Sequence, residues 1–201
     1  MPSARIYLEE GAKRVFAVSL DWPGWCRAAP TAEAALDALD AYRDRYTAVV
    51  GPGFDPGDLV VVGTVPGNRT TDFGAPDARG PWDAAPLARA ELERQVAVLA
   101  ACWAAFDTVM GSAPEALRKG PRGGGRDRDG IVDHVREAER VYAPKFGTRV
   151  PPRTPWDEQR ATVTGALLAA PTGTTWPLGY AVRRLAWHVL DHAWEIEDKS
   201  T

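Results

Sequence analysis

The sequence predicts an α+β fold, in which a small β-β-β-α-β unit over residues 1–65 precedes an up-down-up-down bundle of four helices over residues 86–201. Three observations predict it. Short runs of β-branched and aromatic residues between turn formers fill the first part. Long apolar stripes at helical spacing fill the second part. Residues 66–85 are rich in turn formers and lack a hydrophobic period, which is typical of a linker.

Composition and charge exclude several classes of protein. Of 201 residues, 45% are hydrophobic and 25% are charged, and the net charge is −3. Neither half of the chain is strongly basic, so we expect no nucleic-acid partner. Cys26 and Cys102 lie far apart, the first residues do not form a signal peptide, and no apolar run approaches the roughly 20 residues that cross a bilayer. We therefore expect a cytoplasmic protein without a membrane-spanning segment.

The first unit is predicted to contain four strands and one helix. The strands are residues 5–8, 14–20, 25–28 and 59–65, where β-branched and aromatic residues alternate with turns. Thr31 is the predicted N-cap of a helix that continues to about Val50. The side chains expected on its inner face are Ala35, Leu39, Tyr42, Tyr46 and Val49.

A motif in this unit resembles a known family. Residues 16–26 read FAVSLDWPGWC and lead into TAEAAL at residues 31–36. This order of strand, Pro-Gly turn and helix start resembles the HicB-like fold over roughly residues 4–65. HicB-type antitoxins usually continue into a DNA-binding segment, and nothing downstream looks like a helix-turn-helix or a ribbon-helix-helix. Repression of an operon is therefore not carried over to this chain with the resemblance.

Residues 66–85 leave two interpretations open. Phe73 and Trp82 indicate that the linker packs on a domain, and its composition fits a mobile connector equally well.

Four helices are predicted after the linker. The first follows Pro86 and has a narrow buried stripe of Leu92, Val96, Leu99, Trp103, Phe106 and Met110. Cys102 beside this stripe is predicted to be a small buried hydrophobe. The second covers about residues 128–142, ends before Pro144, and has an inner side of Ile131, His134, Val135, Ala138, Val141 and Tyr142. Thr154 is the predicted N-cap of the third, with Pro155 at its first position, and the fourth covers about residues 178–198.

Residues 120–126 form a glycine-rich loop between the first two of these helices. The glycine offsets, the Lys-Ser/Thr ending and the preceding strand of a phosphate-binding loop are all missing. Two interpretations remain: a flexible connector, or a cationic lid in which Arg126 and Arg128 attract an anionic substrate.

The last predicted helix contains an H-x-x-x-H pair, His188 and His192, within an apolar stripe. Residues four apart on a helix lie about 5 to 6 Å apart at Cβ, so both imidazoles can share one ligand. They are either core residues with hydrogen-bond partners or ligands of a divalent cation. A second stripe of Trp187, Leu190 and Trp194 lies on nearly the opposite side.

His134, the third histidine of the chain, falls on the inner side of the second bundle helix. In an up-down-up-down bundle this helix approaches the last one across the core, so the three imidazoles can meet. Three imidazoles with one open position suit a catalytic Zn²⁺ or a similar ion. Glu137 and Glu195, each three residues after a histidine, are either orienting carboxylates or proton acceptors at this ion, or solvated helix edges.

These patterns resemble the DinB-like four-helix-bundle family. IVDHVREAE at residues 131–139 matches that family's histidine pattern on helix two, and His188 and His192 match its late H-x-x-x-H pair. The resemblance implies that His134, His188 and His192 bind a divalent ion, zinc or nickel. It also implies a low-molecular-weight thiol as co-substrate and a homodimer. The family's Arg-Gly-Gln after the second histidine is replaced here by Ala193-Trp194-Glu195.

Two classes of function follow. The first is a metal-dependent thiol S-transferase or isomerase, in which Glu137 or Glu195 accepts a proton and Arg126 or Arg128 attracts a small anionic substrate of unspecified identity. The second is a binding or regulatory protein, in which the HicB-like unit recognises a partner and the bundle is a scaffold. In that case the stripe with Trp187 and Trp194 docks on the N-terminal unit or on a second subunit.

Overall fold

The computed structural model describes residues 2–120 and 124–200. Over these residues it is an α+β structure with a four-stranded mixed sheet and seven α-helices. The strands are β1 (Ser3–Glu10), β2 (Val15–Ser19), β3 (Cys26–Ala29) and β4 (Asp58–Pro66). The helices are α1 (Ala32–Ala41), α2 (Arg43–Val50), α3 (Arg69–Phe73), α4 (Arg89–Ser112), α5 (Arg128–Tyr142), α6 (Trp156–Ala169) and α7 (Leu178–Lys199). Pro81–Asp83 and Ala143–Phe146 are 3₁₀ turns.

The sheet has the strand order β3-β2-β1-β4. β1 pairs antiparallel with β2, β2 pairs antiparallel with β3, and β4 joins the other side of β1 in parallel. In register, Ile6 lies opposite Ser19 and Val18 lies opposite Cys26. The four predicted strands are confirmed, with bounds that differ by at most two residues at either end.

The helix that follows β3 begins as predicted and is then interrupted. Thr31 is the N-cap, and its hydroxyl oxygen accepts a hydrogen bond of 3.2 Å from the N–H of Ala34. Tyr42 leaves helical geometry with φ −92° and ψ 6°, and its N–H bonds to the carbonyl of Leu39, three residues back. The prediction of one continuous helix to Val50 is therefore wrong, since α1 and α2 meet at Tyr42.

The segment 66–85 has more local structure than a linker was predicted to have. Asn68 caps α3 by accepting a hydrogen bond of 2.7 Å from the N–H of Thr70, and its own N–H bonds to the hydroxyl of Thr71. Of the two aromatic residues expected to pack, Phe73 is 82% exposed, whereas the Trp82 ring lies 4.9 Å from that of Tyr7.

A buried carboxylate ties this segment to the sheet. Glu9, at the end of β1, has no exposed surface. It accepts hydrogen bonds from the Thr71 hydroxyl at 2.6 Å, from the N–H of Asp77 at 2.9 Å and from the N–H of Ala78 at 3.0 Å. Three donors from one segment satisfy a charge that would otherwise be costly to bury.

The long helices α4 and α5 follow the predicted patterns closely. Five of the six predicted inner positions of α4 are buried, Met110 is half-buried, and Cys102 is buried as expected. The bounds of α5 are those predicted. The prediction of its inner side is wrong at one position, because Val141 is 50% exposed. The carboxyl group of Glu139 takes the buried place instead.

The start of α6 differs from the prediction by one position. Pro155 is at the N-cap and the helix begins at Trp156, so the predicted N-cap role of Thr154 is wrong. The Thr154 hydroxyl donates a hydrogen bond of 2.9 Å to the carbonyl oxygen of Pro151 and is not engaged with the helix. Asp157 and Glu158 still place negative charge in the first turn, where the helix dipole favours it.

Helix α7 lies between the sheet and the other long helices. Its residues 180–190 are all buried, so three consecutive turns have no solvent face. Trp187 meets the ring of Phe16 edge-on at 6.2 Å, and Trp194 meets Tyr42 at 5.0 Å. Gly24 has φ +91°, and a Cβ there would lie 2.9 Å from Leu190. The tight approach of the turn after β2 to α7 therefore requires glycine.

Within the described residues, α4 is the helix long and apolar enough to cross a membrane by length and composition alone. The core helix of a soluble protein passes the same test, and eight residues of α4 are buried within the fold.

Candidate metal centre

Two helices bring the three histidines together. His134 lies in the middle of α5, and His188 and His192 lie one turn apart on α7. The ring centroids are 5.0 Å apart for His134 and His188, 4.9 Å for His134 and His192, and 4.7 Å for His188 and His192. The rings thus form a nearly equilateral triangle. The spacing of four residues within α7 sets one side of it, and the packing of α5 on α7 sets the other two.

The ring nitrogens of this triangle are close enough to share an ion. Nε2 of His134 and Nε2 of His188 are 3.2 Å apart, and one nitrogen from each of the three rings lies within 4.8 Å of the others. Two imidazole nitrogens bound to one tetrahedral Zn²⁺ at about 2.0–2.1 Å are roughly 3.3 Å apart. The first pair already has this separation.

A carboxylate orients the third ring. Nδ1 of His192 lies 2.7 Å from Oε2 of Glu195, and the other carboxylate oxygen accepts a hydrogen bond from the Lys199 ammonium. These contacts assign the proton of His192 to Nδ1, so its Nε2 keeps the lone pair that a metal needs. The hydrogen bond to His192, assisted by Lys199, lowers the pKa of Glu195 to about 2.

Burial keeps the other two rings neutral. Desolvation, then the charges of His192 and Arg184, lowers the pKa of His188 well below its usual value. Desolvation, then His192 and Arg126, also lowers the pKa of His134. Both histidines are therefore neutral at physiological pH. Neutral imidazole is the form that binds metal ions.

Other side chains surround His188. The ring of Tyr142 lies 5.9 Å from it, and the hydroxyl of Tyr142 accepts a hydrogen bond of 3.3 Å from Arg184. Nδ1 of His188 is buried and has no hydrogen-bond partner in residues 2–120 and 124–200. The ring of His188 is thus positioned by packing and by the contact of its Nε2 with His134, whereas the ring of His192 is held by a carboxylate.

The structure does not bring every predicted site residue to the triangle. Glu137 is 57% exposed and pairs with Arg140 on the same helix. Arg128 donates to Asp129 at 2.8 Å and to the carbonyl of Ala113 at 2.8 Å, so its guanidinium fixes the start of α5. Of the two predicted carboxylates, only Glu195 contacts a histidine.

The glycine-rich loop approaches the site from the chain before α5. A Cβ at Gly125 would lie 3.4 Å from the ammonium of Lys199, and the charge of the exposed Arg126 lowers the pKa values of His134 and His188. The predicted lid also includes residues 121–123, which lie outside the described part of the chain.

Three residues around the site were not predicted from the sequence. For two of them, the spacing along α7 could have indicated their place. Lys199 follows Glu195 by four residues, which is the favoured order for a helical ion pair. Arg184 precedes His188 by four residues and so shares its face of α7. Tyr142, although predicted to point inward, had no pattern that linked it to a histidine.

Comparisons of the chain with protein-family models, with curated proteins and with solved structures gave no match.

Proposed function

We propose that His134, His188 and His192 bind a divalent metal ion, zinc or nickel. The observation that carries the proposal is the convergence of all three histidines from two helices, with Nε2 of His134 and Nε2 of His188 only 3.2 Å apart. The neutral rings of His134 and His188, and the carboxylate of Glu195 that orients His192, fit the donor set of such an ion.

An arrangement without metal is the competing explanation. An N–H of one imidazole can donate to the lone pair of the other across the 3.2 Å gap, and the third ring then packs beside them. That explanation accounts for two rings and leaves the Nε2 of His192 without a role. Binding of one ion uses all three.

We further propose that the chain is a metal-dependent enzyme with a HicB-like N-terminal unit and a DinB-like four-helix bundle formed by α4, α5, α6 and α7. The contacts of α7 with both α4 and α5 are compatible with such a bundle. The enzyme is proposed to act in the cytoplasm as a thiol S-transferase or isomerase on a small molecule. When bound, the ion lowers the pKa of a coordinated low-molecular-weight thiol or water, so that a nucleophile exists at neutral pH.

The chain's own residues then have distinct roles. With its pKa lowered to about 2, Glu195 is a weak base at neutral pH, so we assign it the orientation of His192 and not proton acceptance. Arg126 and Lys199 place positive charge beside the site, which favours an anionic substrate or a thiolate.

Metal binding is tested by thermal unfolding of the chelator-treated protein with and without Zn²⁺ or Ni²⁺. We expect both ions to raise the melting temperature of the wild type, because a ligand that binds the folded state stabilises it. His192→Ala and His134→Ala are expected to lose most of this increase, whereas Glu197→Ala, an exposed neighbour on α7, keeps it. An equal increase in the histidine variants and the wild type contradicts the assignment.

Catalysis is tested separately on the metal-loaded protein. We expect it to bind a low-molecular-weight thiol and to consume that thiol in the presence of an electrophilic substrate. A protein that binds metal and is inert towards thiols supports the scaffold alternative, in which the HicB-like unit recognises a partner.

A further inference from the structure

A cavity of about 460 Å³ lies at the opposite end of α7 from the histidines. Its walls come from three parts of the chain: residues 82–87, the connection from α6 to α7 at residues 170–174, and the first turn of α7 at residues 177–179. The volume falls in the range of small-molecule sites, roughly 300 to 1,000 Å³. Because His188 is nine residues further along α7 than Gly179, the cavity is separate from the candidate metal centre.

The one cationic side chain that lines this cavity is that of Arg183. It is only 6% exposed and lines the cavity. Nη2 of Arg183 pairs with the buried carboxylate of Asp83, which also accepts a hydrogen bond of 3.0 Å from the N–H of Gly80. Nε of Arg183 is buried and has no hydrogen-bond partner in the described part of the chain. A buried donor without an acceptor is costly, and an acceptor that enters the cavity and reaches this guanidinium relieves that cost.

The guanidinium of Arg183 reaches the first turn of α7. A Cβ at Gly179 would lie 3.4 Å from Nη1 of Arg183 and 3.3 Å from Cδ1 of Leu87. Both side chains therefore reach the start of this helix of 22 residues, whose N-cap, Pro177, makes no side-chain cap. The unpaired N–H groups of a first turn favour negative charge.

Apart from Asp83, Thr172 and Thr174, the other wall residues are apolar. Leu87, Leu92 and Leu178 line the cavity together with alanine and proline residues. Since Asp83 already neutralises Arg183, the site as a whole carries little net charge. It therefore suits a ligand with one singly charged acceptor group and a hydrocarbon or aromatic body. A multiply charged phosphate ester suits it poorly.

We infer that this cavity is a binding site for a small monocarboxylate with an apolar body, whose carboxylate accepts hydrogen bonds from Arg183 at the start of α7. The site works independently of any metal at the histidines.

Calorimetric titration of the full chain with phenylacetate and with its neutral analogue phenylacetamide tests the inference. A charge-assisted hydrogen bond is worth about 1.5 to 3 kcal/mol, so we expect the carboxylate to bind at least roughly tenfold more tightly than the amide. Arg183→Lys keeps a charge opposite Asp83 but removes the second terminal nitrogen. It is expected to lower the affinity for phenylacetate at least about fivefold and to leave that for phenylacetamide unchanged.

A second pair of variants tests the place of binding without disturbing the buried ion pair. Ala85 lines the cavity and is exposed, so Ala85→Trp adds bulk at the wall without affecting the core. Ala90 is exposed on α4 and does not line the cavity, which makes Ala90→Trp the matched control. We expect phenylacetate binding to be lost in the first variant and kept in the second. No saturable binding by the wild type, equal affinity for acid and amide, or unchanged binding in Ala85→Trp overturns the inference.

Discussion

Glu195 and His192 lie one turn apart on α7 and are joined by a hydrogen bond of 2.7 Å between Oε2 and Nδ1. A proposed ligand and the group that fixes its proton are thus part of the same rigid helix. His188 is fixed differently, by the contact of its Nε2 with Nε2 of His134 and by the neighbouring rings of Trp187 and Tyr142.

We expect Glu195→Ala to weaken metal binding about 10- to 100-fold, since loss of an orienting partner of a ligand histidine typically has this effect. Without the carboxylate the ring of His192 can rotate and exchange tautomers. Competition with a chromogenic chelator gives the affinity. Glu195→Gln retains an oxygen that accepts from Nδ1 and is expected to recover most of the loss.

Glu197→Ala is the matched control for this prediction. Glu197 is two residues further along α7, and its carboxylate pairs with Arg45 at 2.5 Å instead of a histidine. A loss of affinity as large as that of Glu195→Ala would show that the effect comes from general charge and not from ring orientation.

Glu139 is predicted to make the stability of the protein depend on pH. It is 1% exposed and accepts hydrogen bonds from Trp103 at 2.7 Å, Trp156 at 2.7 Å and Gln159 at 3.1 Å. Desolvation raises its pKa even against these donors. The folded state therefore holds the proton more tightly than the unfolded state, and the associated stability is lost as the pH rises above about 4.5.

Urea unfolding of Glu139→Gln and wild type at several pH values checks this sign. Residue 139 of the variant does not ionise. Between pH 4.5 and 7 the variant's free energy of unfolding should therefore increase relative to that of the wild type, by on the order of 1 kcal/mol. Glu137→Gln, two residues away and exposed, serves as the control. A difference that stays constant or shrinks towards neutral pH contradicts the prediction.

We expect Glu9→Ala to lower the free energy of unfolding by about 2 to 4 kcal/mol, because it leaves the Thr71 hydroxyl and two backbone N–H groups without their acceptor. Amide hydrogen exchange at Asp77 and Ala78 should accelerate more than exchange in α4. The neighbouring Glu10 is exposed, so Glu10→Ala should change the stability by less than about 0.5 kcal/mol. Similar losses in both variants would argue against the anchoring role of Glu9.

Trp187→Ala is predicted to destabilise the fold by about 3 to 5 kcal/mol, since it empties the space between α7 and Phe16. Trp187 and Trp194 are 5% and 4% exposed, so neither offers much surface to a second subunit. We therefore expect size-exclusion chromatography at low temperature to give the same elution volume for wild type and Trp187→Ala. A shift to a smaller oligomer would instead assign this stripe to a subunit interface.

The regular elements were predictable because their signals are local. The Thr31 cap, the bounds of α5 and the buried stripe of α4 follow from side chains within a few residues of one another. The break at Tyr42 was not predictable in this way, because no glycine or proline marks it. The ring of Tyr42 lies 5.0 Å from that of Trp194 on α7 and beneath the guanidinium of Arg27 on β3. Contacts with residues on other elements leave no local pattern in the sequence.

The candidate site, too, was predictable where its signals are local and was not predictable elsewhere. The approach of His188 to His192 is a matter of helical spacing, and its meeting with His134 followed from the predicted helix packing. The burial of Glu139 could have been read from its spacing of four residues after the inner Val135, but a charged residue was not expected there. The cavity beside Arg183 joins three segments up to about 100 residues apart, so no local pattern indicates it.

The position of α7 in the chain also has a kinetic consequence. This helix follows in sequence every strand and helix that it packs against, and its residues 180–190 fill the space between them. During synthesis, the faces of the sheet and of α4 that α7 covers therefore stay exposed until α7 has left the ribosome. A chaperone is expected to protect these faces in the meantime, and the histidine triangle cannot assemble before α7 is available to pack.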